Sequence, residues 1–326
     1  MRFVQVNDIA SVASELAVAL RRRGHEVDLL YPRLYGAGLS PLWKLAVIPA
    51  RFADWLRLAW RLRRGDYDAV HIHYAYLGIV GLIARVPYVL HCHGDDVRDV
   101  SRRVWAPVIR LAIQRARHVY YSTPDLAEPL HAIRRDAEFL PNPIDIERFH
   151  PAPLPGDAED VFVACALAEN KGVGNILAAC EQLEAERPAA RITAVAGGSG
   201  TERANGLANV LLLMHQPREK LPALMARHRI IIGQVHQGAV GMVELEAMAC
   251  GRPVIAYFTY DAAYDEPPPF VNAHSGPEIA AAVARLLDDA AERERLSVEG
   301  RGWVERNHNA AHIAERIEQL ALRFAR

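Results

Sequence analysis

Residues 228–258 read HRIIIGQVHQGAVGMVELEAMACGRPVIAYF, and this stretch decides the fold. It comprises a short apolar run at 230–232, a glycine-bearing connection at 233–241, a helical pattern at 242–250 and a second apolar run at 254–258. Short apolar runs bounded by turn residues are typical of buried parallel strands, and a glycine followed by a proline is typical of a helix end. The stretch therefore predicts a strand, a loop, a helix and a second strand.

The connection before this helix predicts an anion-binding site. Open parallel sheets bind ligands at the carboxyl ends of their strands, and the free N–H groups of a helix start attract phosphate. Glu246 lies a little over one turn into the predicted helix, so that its carboxylate would reach a pair of hydroxyl groups beside the anion. A nucleotide-sugar carries both groups. The alternative is that Glu244 and Glu246 only interact favourably with the helix dipole.

The segment GMVELEAMACGRPVIA at 241–256 resembles the second half of the signature of the family 4 retaining glycosyltransferases, a large GT-B family. The family pattern is E-G-F-G-x-x-x-L-E-A-M-A-x-G-x-P-V-I. The resemblance implies that Glu246 grips the ribose of the donor nucleotide, and that Gly241, Met242 and Val243 belong to the same donor site. The expected donor is a UDP-sugar or a GDP-sugar.

The first glutamate of the family pattern is missing from this sequence. Gly238 stands at that position, eight residues before Glu246, where relatives hold the hydroxyl groups of the donor sugar. His236 and Gln237, one or two residues away, are the candidates to substitute for it. His215, at the end of another predicted strand, falls near the place where relatives contact the base.

Length and composition predict two domains and a well-formed core. The chain has 326 residues, a hydrophobic content of 51% and a net charge of −1. Residues 1–150 carry 21 Lys or Arg against 16 Asp or Glu, an imbalance too small to indicate nucleic-acid binding. The four cysteines are scattered, as is typical of reduced thiols. Neither a signal peptide nor a run of eighteen apolar residues is recognisable, so we expect a cytoplasmic protein.

The N-terminal segment predicts a Rossmann-like βαβ unit, with a strand at 2–6 and a helix at 10–23. The turn between them lacks G-x-G-x-x-G, which disfavours a dehydrogenase, because a dinucleotide site needs glycines for the backbone to approach the pyrophosphate. In the resembled family this turn faces the substrates, which implies such a role for Asn7, Asp8 and Ser11. Ser11 is equally a candidate helix N-cap.

Arginine and tryptophan are concentrated in residues 43–64, and a second basic segment follows at 102–117. Tryptophan and arginine with few acidic residues are typical of a helix that lies on an anionic membrane. The alternative is an ordinary helix that packs its apolar stripe on the sheet. Family relatives that act on lipid-linked acceptors attach through this half. The sequence leaves both interpretations open, including peripheral attachment to the inner face of the plasma membrane.

Two predicted strands carry alternating histidines, HIH at 71–73 and HCH at 91–93. Side chains two residues apart on a strand share a face, so these histidines could form a metal centre, and a metal-dependent hydrolase is one alternative function. The resemblance accounts for both segments without a metal, because family members show D-x-x-H-x-H and H-G-x-D. It implies that His93 contacts the donor sugar, that Gly94 allows close backbone approach, and that Asp96 matches the family acid.

Family patterns also mark the end of the first domain and the start of the second. FLPNPIDIERFHP at 139–151 is similar to P-N-G-(I/V)-D-x-x-x-F-x-P, and ENKG at 169–172 is similar to the end of G-R-L-x-x-x-K-G. The latter implies that Lys171 clamps the donor diphosphate, whereas the family arginine is replaced by Ala166. The acceptor or cleft residues expected in this half of the chain are Asn7, Asp8, Tyr74, Gly94, Asp96 and Asn142.

The sequence predicts an α/β protein with the GT-B fold, in which two Rossmann-like, doubly wound parallel-sheet domains face a cleft. The expected domains are an acceptor-binding domain at 1–152 and a nucleotide-sugar-binding domain at 153–308, followed by a helix at 309–326 that returns to the first domain.

The implied function is a metal-independent retaining glycosyltransferase that needs no cofactor. It would move a sugar from a nucleoside diphosphate sugar to a hydroxyl of a sugar, glycan or lipid-linked acceptor. In such enzymes the departing phosphate oxygen helps to remove the acceptor proton, so the expected catalytic residues, Lys171 and His93, act by electrostatics and positioning. Ala166 and Gly238 motivate a second hypothesis, a catalytically silent homologue that acts as a binding or regulatory protein.

Overall fold

The computed structural model describes residues 1–33, 46–98 and 105–325. The chain divides into two compact units, one formed by residues 1–143 with 310–326 and the other by residues 144–309. Residues 144–152, which the sequence pattern assigned to the first domain, lie in the second unit. A hydrogen bond ties the start of this segment to the second unit, because the N–H of Ile144 donates to the carbonyl of His308 at 2.7 Å.

The first unit is built on a six-stranded sheet with the strand order β2-β1-β3-β4-β5-β6, in which every pairing is parallel. Its strands are β1 (Arg2–Val6), β2 (Glu26–Leu30), β3 (Ala69–His73), β4 (Val89–Cys92), β5 (His118–Tyr121) and β6 (Glu138–Phe139). Its described α-helices are α1 (Val12–Arg22), α2 (Ile48–Arg64), α3 (Gly78–Ala84), α4 (Ala106–Arg115), α5 (Ala127–His131) and the C-terminal α12 (Ala310–Ala325).

The C-terminal helix belongs to the first unit, where α12 packs against α1. Glu318 on α12 accepts a hydrogen bond from Nε of Arg23 at 2.7 Å and lies 3.1 Å from Nε2 of His25. Buried apolar residues of α12, among them Ile313 and Ile317, lie on the inner face of the helix. The predicted return of the last helix to the first domain is therefore confirmed.

The second unit contains another six-stranded parallel sheet, with the strand order β12-β11-β10-β7-β8-β9. Its strands are β7 (Glu159–Val163), β8 (Ile192–Val195), β9 (Val210–Leu213), β10 (His228–Ile232), β11 (Val254–Ala256) and β12 (Val271–Asn272). Its α-helices are α6 (Val173–Glu186), α7 (Thr201–Asn205), α8 (Leu221–Ala226), α9 (Met242–Ala249), α10 (Gly276–Asp288) and α11 (Ala290–Asn307).

The stretch 228–258 forms the strand, loop, helix and strand that its pattern predicts. β10 and β11 are neighbours in the sheet, with Ile231 opposite Val254, and α9 connects them. All three isoleucines of β10 are fully buried, as expected for a parallel strand that is covered on both faces.

Two doubly wound parallel sheets confirm the predicted α/β class. Within the described part of the chain, every helix is too short or too polar to cross a membrane. The basic segments at 43–64 and 102–117 are described from residues 46 and 105 onward, so residues 43–45 and 102–104 lie outside the described residues.

Candidate active site

Backbone hydrogen bonds join the loops that follow β7, β8 and β10 at one edge of the second sheet. The N–H of Val235 donates to the carbonyl of Lys171 at 3.0 Å, and the N–H of Gly200 donates to the carbonyl of Leu167 at 2.9 Å. Gly172 has a φ of +82°, and an added Cβ would lie 2.7 Å from Cγ2 of Val235. A glycine directly after Lys171 therefore permits the close approach of these loops.

Two buried polar side chains shape the loop after β10. Glu244 accepts a hydrogen bond from the N–H of Gln234 at 2.6 Å with one carboxylate oxygen, and from the N–H of Gly241 at 2.9 Å with the other. The side-chain oxygen of Gln234 accepts from the N–H groups of His236 at 3.0 Å and Gln237 at 2.8 Å. These contacts satisfy loop amides that would otherwise lack partners in the interior. Glu244 thus holds the loop in shape, in addition to lying at the favourable end of the helix dipole.

Gly238, at the position of the family's first glutamate, has left-handed backbone geometry and lies against the side chain of Thr259. It is buried, its φ is +67°, and an added Cβ would lie 2.5 Å from Oγ1 of Thr259. The carbonyl of Gly238 accepts a hydrogen bond from the N–H of Thr259 at 3.0 Å. The departure from the family pattern is therefore accompanied by a local backbone that suits glycine.

The start of α9 and the Lys171 loop supply the positive groups at this edge. α-Helical geometry leaves the N–H groups of Met242 and Val243 without intrahelical acceptors, and both residues are partly exposed, as is Gly241. Lys171 is also partly exposed, at the end of a 3-10 turn formed by residues 169–171. Amide donors, the helix dipole and one ammonium group are the features that bind phosphate.

Glu246, the expected ribose-binding residue, is buried in an ion pair. One of its carboxylate oxygens accepts hydrogen bonds from Nε of Arg218 at 2.9 Å and from Nη2 at 2.6 Å. The guanidinium of Arg218 also lies over the ring of Phe149, 5.3 Å from its centroid. Arg218 follows β9, so the contact joins helix α9 to the segment that follows β9.

The other expected donor-site residues differ in exposure. His236 is exposed and Gln237 is partly exposed, and the side chain of Gln234 fixes the backbone of both. His215 is exposed in the loop after β9. The structure therefore brings Lys171, Gly238 and the start of α9 together through bonded loops, whereas it places His215 on a separate loop.

In the first unit, the expected acceptor residues Asn7 and Tyr74 line a pocket of about 290 Å³ at the carboxyl ends of β1 and β3. Arg51 of α2 also lines this pocket. The backbone around the pocket is unusual, because Asn7 (φ 72°), Ala10 (φ 48°), Ser11 (φ 65°) and Tyr74 (φ 87°) all have positive φ. Such conformations cost free energy and cluster at functional sites.

Asp8 caps helix α1, a role that the sequence offered to Ser11. One carboxylate oxygen of Asp8 accepts from the N–H of Ala13 at 2.9 Å, and the other accepts from the hydroxyl of Ser14 at 2.7 Å. Ser11 has left-handed backbone geometry and its side chain forms no capping hydrogen bond. Ser11 therefore occupies the N-cap position, whereas the capping hydrogen bonds come from Asp8.

The four histidines form one stack at β3 and β4, in which His71, His73 and His91 are buried and His93 is partly exposed. Neighbouring rings lie 4.4 Å apart between His71 and His73 and 4.3 Å apart between His91 and His93. Nδ1 of His73 lies 2.9 Å from Nε2 of His93, and Nε2 of His73 lies 2.7 Å from the side-chain oxygen of Gln5. Gln5 and His73 thereby fix the ring of His93, the expected sugar-contacting residue.

Burial keeps this stack uncharged. It lowers the pKa of His71 and of His93 to about 3, with neighbouring histidines adding to the effect, and it lowers the pKa values of His73 and His91 well below 6.5. Ring nitrogens of His71, His73 and His91 lie within 4.8 Å of one another, close enough for one metal ion. Their ring planes are inclined to one another by 8–36°.

Asp96 is fully buried and supports the backbone near His93. It accepts hydrogen bonds from the N–H groups of Ala75 at 2.7 Å, His93 at 3.0 Å and Gly94 at 2.8 Å. Burial raises the pKa of Asp96, and these hydrogen bonds oppose that effect. The geometry gives Asp96 a positioning role rather than an open binding position. Asn142 is also buried, with 6% of its surface exposed.

Helix α2 is apolar on two sides. Trp55, Leu58 and Leu62 are buried in the core, as the domain-helix interpretation predicts. A second stripe is exposed, and we call it the α2 surface; it comprises Ile48 (40% exposed), Phe52 (49%), Leu56 (44%) and Trp60 (58%). The acidic residue of this helix, Asp54, is buried and paired with Arg57 at 2.7 Å.

Several residues that build these sites escaped the sequence patterns. Arg218, Gln234 and Thr259 act through contacts with residues far along the chain, and none of them lies in a recognised motif. Gln5 carried one signal that could have been used, because it is a polar residue in the middle of an otherwise apolar strand.

Comparisons with known proteins agree with this geometry. A family model described as Glycosyltransferase Family 4 matches residues 9–148, and one described as Glycosyl transferases group 1 matches residues 158–289. The chain is 27% identical over 277 residues to phosphatidyl-myo-inositol mannosyltransferase of Mycolicibacterium smegmatis, covering 76% of this chain and 72% of that protein. It is 26% identical over 271 residues to D-inositol 3-phosphate glycosyltransferase of Thermobispora bispora, covering 69% of this chain and 63% of the relative.

Solved structures share the fold over the whole chain. Sucrose-phosphate synthase from Thermosynechococcus elongatus matches with a TM-score of 0.75 and 20% identity, covering 99% of both chains. HepE of Anabaena in complex with UDP and glucose matches with a TM-score of 0.73 and 16% identity, covering 98% of this chain and 99% of HepE. These matches confirm the predicted GT-B fold.

Proposed function

We propose, from the premise that this chain is a family 4-like glycosyltransferase with the GT-B fold, that it transfers a sugar from a nucleoside diphosphate sugar to an acceptor hydroxyl with retention of configuration. The observation that carries the proposal is the hydrogen bond between Val235 and Lys171, which holds the loop before α9 against the Lys171 loop. This hydrogen bond brings the loop that carries the ammonium group of Lys171 and the loop that leads to the N–H groups of α9 to the same edge of the sheet.

In this proposal the diphosphate of the donor binds at the start of α9. The N–H groups of Met242 and Val243 have no intrahelical acceptor, so they can donate hydrogen bonds to phosphate oxygens. Lys171 neutralises a second part of the charge. As the bond to the sugar breaks, negative charge grows on the leaving diphosphate, and each preorganised donor stabilises that charge by about 3 kcal/mol.

Glu246 is proposed to orient the ribose of the donor. Its ion pair with Arg218 fixes the direction of the carboxylate, as a supporting residue does for a binding group. Solved structures of HepE hold UDP, UDP-glucose or UDP with glucose, which supports a nucleotide-sugar donor and favours uridine as the first base to test.

His93 is proposed to contact the donor sugar as a neutral imidazole. The histidine stack keeps its pKa far below neutral pH, so His93 contributes hydrogen bonding rather than charge. No protein nucleophile is required when the leaving phosphate oxygen takes the proton of the acceptor hydroxyl. Proton and leaving group then depart together, and the protein acts by positioning and electrostatics.

The acceptor is proposed to be a polyol with an anionic group. The two curated relatives are named for transfer to phosphatidyl-myo-inositol and to D-inositol 3-phosphate. The pocket lined by Asn7 and Tyr74 suits a polyol, because these side chains offer hydrogen-bonding groups, and Arg51 offers a cation for a phosphate. A lipid-linked acceptor would also explain the exposed α2 surface, which we propose to lie on an anionic membrane at the cytoplasmic face.

The decisive experiment measures donor binding and transfer separately. UDP, GDP and their glucose and mannose conjugates are titrated into the protein by calorimetry, and the competent donor is then incubated with inositol 3-phosphate or with vesicles that contain phosphatidylinositol. Retention is read from the anomeric coupling of the product by proton NMR. We expect one nucleotide to bind and an α-linked product to form from an α-linked donor.

A silent homologue, motivated by Ala166 and Gly238, gives a different result in the same experiment. The silent homologue would bind a nucleoside diphosphate but would neither transfer the sugar nor slowly hydrolyse the donor. That result would overturn the transferase proposal. Absence of binding by every nucleotide in the panel would overturn both the donor site and the transferase.

A further inference from the structure

A second cavity lies in the first unit, away from the residues assigned to catalysis. Its volume is about 250 Å³, and it lies between the sheet and helix α12. Most residues that line it from the sheet lie at the start of a strand, such as Phe3 on β1, Val70 on β3 and Val89 on β4. His71 and Tyr120 lie further along their strands. Asn7 and His93, at the carboxyl ends of the strands, do not line it. The cavity therefore opens toward the opposite half of the sheet from the proposed acceptor pocket.

Aromatic rings form part of the cavity wall, together with aliphatic side chains. Phe3, Tyr67, Tyr88, Tyr120 and Phe324 contribute rings. Aromatic walls favour a planar aromatic guest, because rings interact through offset-stacked and edge-to-face contacts. A cavity of about 150 Å³ holds benzene, so a cavity of this size would hold a body of roughly ten carbon atoms by simple scaling.

The charged and polar residues that line the cavity include His71, Arg117 and Asp68, and the carboxylate of Asp68 accepts a hydrogen bond from the N–H of Arg2 at 2.7 Å. His71 lines it with 2% of its surface exposed, and neither of its ring nitrogens has a hydrogen-bond partner among the described residues. A buried polar group without a partner costs about 1–3 kcal/mol, so a ligand hydroxyl that donates to it would be favoured. At the other side, Arg117 lines the cavity and stacks on Phe324, with its guanidinium carbon 4.3 Å from the ring centroid.

Positive charge continues beyond Arg117. The adjoining surface is lined by Arg117, Arg316 and Arg323, with Glu138 as the acidic member of the same set. The carboxylate of Glu138 lies 3.4 Å from Nε2 of His118 and so also interacts with that histidine. This arrangement favours an anionic group at the entrance.

We propose that this cavity is a second ligand site, which binds a hydroxylated aromatic monocarboxylate of about bicyclic size. The carboxylate pairs with Arg117, the ring system fills the space between the sheet and α12, and the hydroxyl donates to a ring nitrogen of His71. Since α12 forms one wall, a bound ligand also stabilises the packing of this helix.

Three matched probes test each feature of the proposal by calorimetry and by thermal shift on the full chain. They are 6-hydroxy-2-naphthoate, 2-naphthoate and 2-naphthol. We expect 6-hydroxy-2-naphthoate to bind with one site per chain. Removal of the hydroxyl or of the carboxylate should each weaken binding about tenfold, which corresponds to about 1.4 kcal/mol.

Variants locate the site. Ala321→Trp fills the cavity from α12 and should abolish binding, whereas His312→Trp, on the exposed side of the same helix, should leave binding unchanged. Arg117→Ala should weaken 6-hydroxy-2-naphthoate and leave 2-naphthol unaffected. The proposal is overturned if 6-hydroxy-2-naphthoate fails to bind at millimolar concentration, or if Ala321→Trp binds as the unmodified protein does. Neither readout depends on glycosyl transfer.

Discussion

Arg218 donates two hydrogen bonds to a single carboxylate oxygen of Glu246, and the two side chains are 28 residues apart. Their exposed fractions are 15% and 3%, so the pair is largely removed from water. Such a pair stabilises mainly through its fixed geometry, because removal of one partner leaves the other charge buried without this ion pair.

This pairing predicts a strong effect of single substitutions. We expect Glu246→Leu to lower the free energy of unfolding by about 3–5 kcal/mol, measured by denaturant titration of the second unit's transition. The double variant Arg218→Met with Glu246→Leu should recover most of that loss, because no buried charge remains. Both variants should fail to bind the nucleoside diphosphate. Equal stability of Glu246→Leu and the unmodified protein would contradict the buried pair.

Lys171 is expected to act on the leaving group. Lys171→Ala should lower turnover by at least about tenfold through lost stabilisation of the diphosphate, with little change in stability because the side chain is partly exposed. Steady-state kinetics with the competent donor measure the effect. Lys220→Ala is the matched control, since Lys220 is an exposed lysine of the same unit. Unchanged turnover in Lys171→Ala would remove this residue from the mechanism.

Replacement of Gly238 by the family's glutamate should not create the sugar-binding contact expected from the family pattern. Gly238→Glu places a side chain on a residue with φ of +67° and within 2.5 Å of Oγ1 of Thr259. We expect a loss of stability of about 1–2 kcal/mol and no gain in donor affinity, because the left-handed backbone and the clash both oppose the substitution. Thermal unfolding and calorimetry measure the two quantities. Tighter donor binding by Gly238→Glu would show that the loop adapts.

The histidine stack predicts loss of stability in acid. The folded-state pKa of His71 is about 3, against 6.5 for a solvent-exposed histidine, because burial and the nearby His118 disfavour the charged ring. Between these values the unfolded chain binds the extra proton, so stability falls as pH decreases from about 6.5 toward 3. Each such histidine contributes a slope of up to about 1.4 kcal/mol per pH unit.

Unfolding free energies at pH 7.5 and pH 5 measure this slope. His71→Leu should show a shallower pH dependence than the unmodified protein. His312→Leu serves as the control, because His312 is exposed on α12 and is not part of the histidine stack. An identical slope in all three proteins would mean that His71 takes up its proton in the folded state.

The α2 surface is expected to mediate membrane binding. Vesicles with anionic lipid should carry the protein in a flotation assay, and vesicles of neutral lipid should not, because both the apolar stripe and the arginines are needed. The paired substitution Phe52→Ser with Trp60→Ser should abolish flotation without loss of stability, since both side chains are about half exposed. Leu211→Ser is a control at an exposed apolar residue of the second unit. Flotation that survives the paired substitution would locate membrane binding elsewhere.

The sequence by itself determined the local elements and the fold class. Apolar runs, helix periodicity and the glycine stop between 228 and 258 specify a strand, loop, helix and strand, because these signals act between residues close along the chain. The same holds for Lys171 followed by Gly172, where a left-handed turn requires glycine. Tandem units of this kind predict two parallel sheets, which the structure contains.

Only the tertiary structure decided which side chains meet. Arg218 reaches Glu246, Thr259 closes the space at Gly238, and Gln5 fixes the histidine stack, through contacts between residues that are 28, 21 and 68 positions apart. Strand order and register set these contacts, and neither leaves a local pattern in the sequence. The sequence therefore predicts a phosphate-binding edge, whereas the residues that pack against it, and the cavity beneath α12, depend on the packing of distant segments.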